Sequence, residues 1–150
     1  MTRIPRAALA LGLAGLIPFL WSAATHLSAP LASWAGGWML PMFLGGYVGL
    51  TYGTIILSFM SGVLWGFATK ADPDRAAPFY ALSVIPALWV FLMVTDASSE
   101  SRIYLIAGFA GLLFLDWTYW RQGLAPDWWM RLRGPLTAVV IACLAIPLAL

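Results

Sequence analysis

Along most of this chain apolar residues follow one another without a period. Nothing alternates in twos, as a half-buried strand would, and no polar face returns every three or four residues, as on a water-facing helix. Five such runs stand at residues 6–25, 39–69, 77–95, 102–120 and 134–150. Each is close to or above the length of about 18 residues at which an apolar helix can cross hydrocarbon. Three of the connections are "ATKADPDRAA", "DASSES" and "RQGLAPDWWMRLR", with the Pro, Asp and Ser chemistry of helix boundaries. Pro78 and Pro135 fall near the starts of the third and fifth runs, where a missing N–H leaves no bond unmade. The pattern predicts an all-α fold, one integral membrane bundle of five transmembrane helices over residues 1–150, with no soluble domain.

Composition strengthens this reading. The 150 residues are 62% hydrophobic and 9% charged, with a mean hydropathy of +0.87, too little polar surface for a water-soluble domain of this size. Continuous runs also argue against a β-barrel, whose strands alternate. The net charge of +2 reflects loop charge beside a membrane and does not indicate nucleic-acid binding. The single cysteine, Cys143, lies inside the last run and reads as a small buried hydrophobe.

The basic residues orient the bundle. With the N-terminus inside, the inner segments carry Arg3, Arg6, Lys70, Arg75, Arg121, Arg131 and Arg133, and the outer segments carry only Arg102. That asymmetry predicts an inside N-terminus and an outside C-terminus. The start "MTRIPR" and the small residues of "WSAATHLSA" also suit a cleaved signal peptide. Gly12, Gly15 and Pro18 give the first run packing features, so it is read as a retained helix. Trp65, Trp117, Trp120, Trp128 and Trp129 fall near the inner boundary, and Trp21, Trp34 and Trp38 near the outer one, as an aromatic belt would. Trp89 lies mid-run and is a packing or pocket residue.

The second run contains "GGYVGLTYGTIILSFMSGVLWG", in which Gly45, Gly46, Gly49, Gly53, Gly62 and Gly66 punctuate an uncharged stretch. At about 30 residues the run would be about 45 Å long if wholly helical, more than a bilayer core of about 30 Å. A hinge is expected at Gly45–Gly46. Gly45, Gly49 and Gly53 make one small-residue row in the outer half, and Ser58, Gly62 and Gly66 another in the inner half. Helices in lipid are held by close packing, so both rows are expected at helix contacts, with this helix central.

Few residues offer chemistry. His26 is alone at the end of the first run, Ser58 has no base within its run, and no metal-ligand spacing or catalytic set is present. Asp116 is the exception, an acid about one turn inside the fourth run, where ionisable groups need a partner. Arg121, five positions on, is poorly aimed from the same helix. Arg133 or Arg131 is the expected partner. The "APDWWMRLRG" segment reads as an interfacial helix, with Trp128 and Trp129 in the acyl boundary and Arg131 and Arg133 near lipid phosphates.

Five segments, "LAGLIPF" (13–19), "YGTIILSFMSGVLWG" (52–66), "SVIP" (83–86), Asp116 and "LAPDWWMRLRGPLT" (124–137), resemble a family of small bacterial and mitochondrial membrane proteins, domain of unknown function 3429, to which transmembrane protein 69 is similar. The matching positions are Tyr52, Gly53, Ser58, Phe59, Gly62, Trp65, Gly66, Pro86, Asp116, Pro126, Trp128, Arg131 and Arg133. The chain departs from the pattern at Ser61, where a second glycine is usual, at Leu64, often polar, and at Trp129, usually tyrosine. The resemblance implies a multi-pass protein of the bacterial inner membrane and brings no activity or cofactor with it.

The sequence therefore points to a non-enzymatic membrane protein that serves as an accessory or assembly partner of larger membrane complexes. The alternative is a binder or carrier of a flat apolar ligand, a quinone, porphyrin or isoprenoid, with Tyr52, Ser58, Trp65, Trp89 and Asp116 lining its site. The expected partners are the lipid bilayer and either other membrane proteins or a hydrophobic small molecule.

Overall fold

The computed structural model describes residues 2–150, so Met1, the first residue of the expected domain, lies outside the described residues. The fold is all-helical, with no strand among the described residues. Among the described residues seven α-helices run in the order α1 (Arg6–Ala14), α2 (Ile17–Leu27), α3 (Ala29–Gly36), α4 (Gly45–Ala68), α5 (Ala77–Met93), α6 (Ser99–Arg121) and α7 (Trp129–Ala149). Four spans are long and apolar enough to cross a membrane: Arg6–Leu27, made of α1 and α2, then α4, α6 and α7. The fifth apolar helix, α5, has 17 residues, about 25 Å, and is shorter than the expected 77–95.

The α-helical ladder of the first span is interrupted where α1 passes into α2. Pro18 has no N–H to continue the ladder, and the chain passes Gly15–Leu16 in a single turn, with Leu16 N–H bonding to the Leu13 carbonyl at 3.0 Å. The helix α3 was not foreseen. Ser28 caps it by accepting from Leu31 N–H at 3.3 Å, with Pro30 in the first turn.

The long second run is not one helix. Residues Pro41–Phe43 form a 3-10 turn, Leu44 is extended, and α4 starts at Gly45 with φ +59, a conformation that favours glycine. The break therefore stands at the start of the helix and not within it. No side chain of α4's own N-cap residue satisfies its first amides. The first span does so instead. Thr25 Oγ1 accepts from Gly45 N–H at 2.8 Å, and Ser22 Oγ accepts from Gly49 N–H at 3.1 Å while donating to the Gly45 carbonyl at 2.9 Å.

From there α4 packs against α2, α5, α6 and α7. Its buried stripe runs through Gly49, Gly53, Leu57, Met60, Ser61, Leu64 and Ala68, steps of three and four that keep one face inward. A Cβ on Gly49 would stand 2.6 Å from Ser22 Oγ, and one on Gly53 2.7 Å from Leu105 Cδ2. Side-chain loss in this half lets α2 and α6 approach. The inner-half row is different: Ser58, Gly62 and Gly66 are exposed, with open space around any Cβ on either glycine. The row expected to pack within the chain faces outward, because the buried stripe continues through Leu57, Ser61 and Leu64, turned away from it. Gly45 likewise meets nothing within 4 Å, and its role is conformational.

Two connections fix the remaining helices. Ser98 caps α6 by accepting from Ser101 N–H at 3.1 Å, and Asp96 accepts from Ser101 Oγ at 2.8 Å and from Ser98 N–H at 3.0 Å. Those bonds hold the exposed Asp96 carboxyl below its usual range. The earlier start of α6 carries Arg102 into its first turn, where it is buried and donates through Nη1 to the Gly46 carbonyl at 3.1 Å. At its other end α6 closes with a Schellman turn. Gly123 (φ +71) donates to the Trp120 carbonyl and the buried Leu124 to the Tyr119 carbonyl, both at 3.0 Å. This turn sends the chain back into α7. That helix begins at Trp129 rather than Gly134, so residues 129–133, expected as a separate interfacial helix, are its first turns and Pro135 lies inside it.

Candidate functional site

The only salt bridge among the described residues joins α6 to α7. Asp116 is fully buried, and Arg133 Nε donates to its Oδ2 at 2.8 Å. Trp129 Nε1 donates to the other oxygen, Oδ1, also at 2.8 Å. Trp129 and Arg133 are four residues apart, so a helical start to α7 places both donors on one face. This requirement explains why the helix begins before Pro135. Both carboxyl oxygens of this buried acid are thus met by donors, one of them cationic, as a buried ionisable group requires. Of the two arginines expected as partners, Arg133 is the one in place. Arg131 is exposed and donates instead to the Thr2 carbonyl.

Beside this pair lies an apolar groove of about 560 Å³, within the size range of small-molecule sites. One wall is the first span, with Ala8, Leu11, Gly12, Gly15, Leu16 and Phe19. The facing wall is α4, with Ile56, Phe59, Met60, Val63 and Phe67. Leu132, Arg133, Leu136, Thr137 and Val140 of α7 line it with Phe109, and Pro126, Trp128 and Trp129 close the end at the α6–α7 connection. Gly12 lets the first span approach α7 at this wall, because a Cβ there would stand 3.1 Å from Leu136 Cδ1. Leu11 is 74% and Phe59 66% exposed, so the rim opens onto the outer surface of the bundle.

Two of the lining residues, Arg133 and Thr137, each carry a side-chain atom without a hydrogen-bond partner, Nη2 and Oγ1, and both atoms are buried rather than open to the groove. Three other helical threonines bond back to their own helix, Thr25 to the Trp21 carbonyl at 2.8 Å, Thr54 to the Thr51 carbonyl at 2.7 Å and Thr118 to the Phe114 carbonyl at 2.9 Å. Thr137 does not.

The five residues expected to line a ligand site do not come together. Tyr52 packs edge-on against Phe19, with ring centroids 5.1 Å apart. Ser58 and Trp65 are exposed on α4, Trp65 lying 4.7 Å from the Tyr80 ring. Trp89 is one turn from the end of α5, not mid-span, and donates to the Tyr104 carbonyl at 2.7 Å while covering Gly108. Asp116 is sealed behind Arg133 and Trp129. The groove is built instead from the first span, the outward-turned edge of α4 and the start of α7, and the residues singled out in the sequence that line it are Gly12, Gly15, Trp128, Trp129 and Arg133, with the resemblance positions Phe59 and Pro126.

A profile of the family described as "Protein of unknown function (DUF3429)" matches residues 4–149, almost the whole chain. The chain belongs to this family. "Transmembrane protein 69" of Xenopus tropicalis is 36% identical over 145 residues, covering 91% of this chain and 51% of that protein. "Transmembrane protein 69" of Mus musculus is 28% identical over 154 aligned residues, covering 97% of this chain and 57% of that protein. The chain thus spans about half the length of the curated relatives it matches. No solved structure matches it.

The positions that carried the family resemblance fall largely in two places. Pro126, Trp128, Arg131, Arg133 and Asp116 gather at the α6–α7 connection, and Ser58, Phe59, Gly62, Trp65 and Gly66 lie on the exposed face of α4. The departures are also accounted for locally. Leu64 is fully buried in the core. Ser61 donates to the Ser83 carbonyl and accepts from Ala87 N–H at 3.3 Å, bridging the α5 ladder where Pro86 interrupts it. Trp129 gives an indole N–H to Asp116.

Proposed function

We propose that this protein is a non-enzymatic binder of an apolar small molecule, which it holds in the groove between the first span, α4 and α7. The observation that carries this reading is the groove itself, an apolar space of about 560 Å³ with a rim on the outer surface of the bundle. A molecule dissolved in the bilayer could enter sideways from lipid without crossing water. The seven basic residues expected at one end support the accompanying reading of a bacterial inner-membrane protein with its N-terminus inside and its C-terminus outside.

A second reading rests on a different surface. The exposed row Ser58, Gly62 and Gly66 offers a helix face without side-chain bulk, the kind of surface against which a helix of another membrane protein packs closely. On this reading the chain is an accessory or assembly subunit of a larger complex. Native purification in mild detergent, followed by mass spectrometry of co-purifying proteins and lipids, separates the two. A stoichiometric small molecule, lost on filling the groove by Gly12→Leu, supports the binder. A discrete partner protein, lost on Gly62→Leu, with no small molecule retained, overturns it in favour of the subunit.

A further inference from the structure

The three long walls of the groove have the same extent. It runs from Ala8 to Phe19 along the first span, from Phe67 back to Ile56 along α4 and from Trp129 to Val140 along α7. Each stretch is about 16 Å of helix, half of a hydrocarbon core of about 30 Å. All three begin at one end of the bundle, close to the start of α1, the end of α4 and the start of α7. That is the basic end. The groove therefore covers the depth of one leaflet and stops at the middle of the bundle. Its wall is almost wholly apolar, and the unpartnered Arg133 Nη2 and Thr137 Oγ1 are buried away from it. An occupant meets hydrocarbon and aromatic surface along its length, so a polar head belongs at an end.

The basic end supplies the charge that selects this head. Lys70 follows α4, and its Nζ lies 5.4 Å from the centroid of the Phe67 ring, where the α4 wall ends. Arg131 is exposed one position before Leu132 of the α7 wall, and its bond to the Thr2 carbonyl brings Arg3 to the same corner. Outside the Asp116–Arg133 pair this end holds three acids, Asp72, Asp74 and Asp127, against six cations, and none of them is in a salt bridge among the described residues. Resting on the binder reading above, we infer that the groove takes an inner-leaflet phospholipid with an anionic headgroup, one acyl chain reaching up to Phe19 and the phosphate beside Lys70. The acyl chain is the apolar body in the groove, and the second chain stays in the bilayer past the open rim at Leu11 and Phe59. A net negative head gains from cations at the membrane surface. A polyisoprenoid tail longer than one leaflet would outrun the groove.

The test is native mass spectrometry of the full chain in mild detergent, titrated separately with dioleoylphosphatidylglycerol, dioleoylphosphatidylcholine and dodecylbenzene. The two phospholipids share their chains and differ in head charge. The wild-type chain should prefer phosphatidylglycerol. Lys70→Gln should weaken that lipid about fivefold, the worth of one cation at an anionic surface, and leave phosphatidylcholine unchanged. Arg121 stacks 5.0 Å from the Trp117 ring, outside the groove, so Arg121→Gln should change neither. Filling the groove by Gly12→Leu, or by Val63→Phe if the first variant folds poorly, should displace both lipids and dodecylbenzene. Equal affinity for the two heads, or equal losses in Lys70→Gln and Arg121→Gln, would overturn the anionic head while displaceable dodecylbenzene keeps the groove reading. Phospholipid binding unmoved by filling, with dodecylbenzene displaced, would put the lipid on the outer surface and overturn the inference alone. If no probe binds the wild-type chain, or none is displaced by filling, the groove reading itself falls.

Discussion

Ser22 Oγ sits 3.1 Å from the backbone nitrogen of Gly49 and fills the place a side chain at position 49 would occupy. The first span thereby supplies the cap that α4 lacks, and α4 gives up a side chain to receive it. Ser22→Ala should leave the Gly49 amide buried without its side-chain partner and cost about 1–3 kcal/mol. Gly49→Ala should cost a similar amount, about 1–3 kcal/mol, because its Cβ would overlap the hydroxyl. Both losses should appear as lower thermal stability in detergent, and an unchanged melting temperature for either variant would separate the two helices at this contact.

The exposed glycines of the same helix should respond in the opposite sense. Gly62 and Gly66 have nothing near the position of a Cβ, so Gly62→Ala and Gly66→Ala remove backbone freedom without a clash. Each should stabilise the isolated protein by about 0.5–1 kcal/mol. A loss of stability in the purified chain would mean that these positions contact a neighbour, such as a second copy.

Why the sequence separates the two rows so poorly is physical. Both rows repeat every four residues and both are uncharged. In a water-soluble helix polar residues would mark the outer face, but in lipid the outer face is as apolar as the core. Gly53 and Gly62 therefore look alike along the chain, and only the packing partners distinguish them. Element existence was legible from run length, and the Asp116 partner from the cost of an unpaired acid at that depth. The groove was not legible, because its walls come from distant parts of the chain, with Gly12 facing Leu132 and Leu136 of α7, more than a hundred positions away. Arg102 carried a misleading signal. Its charge suggested a solvated connection, whereas the Ser98 cap, visible in "DASSES", draws it into α6 and toward the Gly46 carbonyl.

The orientation can be checked without a structure. A reporter fused after Leu150 should read as outside, and one inserted among residues 70–75 as inside, because the basic residues other than Arg102 cluster at the end of the bundle holding that loop. An inside C-terminus would refute the orientation and the odd number of crossings together, and would point to α5, the shortest apolar helix, as the one that fails to cross.

The Asp116–Arg133 pair makes the sharpest claim about the fold. Asp116→Asn leaves the buried guanidinium without its counter-charge, and Arg133→Gln leaves the carboxylate with only the Trp129 N–H of its two donors. Removing one member of a buried pair costs about 3–5 kcal/mol, because the other is stranded. Removing both strands neither. The double variant should therefore be more stable than the sum of the single losses implies, by about 0.5–3 kcal/mol. Trp129→Phe should cost less than either charge change, about 1.5–3 kcal/mol, since it removes one neutral donor from a carboxylate that keeps its cation. Arg131→Gln should show no coupling to Asp116→Asn, because that arginine is exposed and bonded to the Thr2 carbonyl. Unfolding of the purified chain in graded mixtures of mild detergent and SDS supplies the comparison. Strict additivity of Asp116→Asn and Arg133→Gln would dissolve the pair, and coupling to Arg131 of equal size would assign the contact to the other arginine and turn Arg133 toward the groove alone.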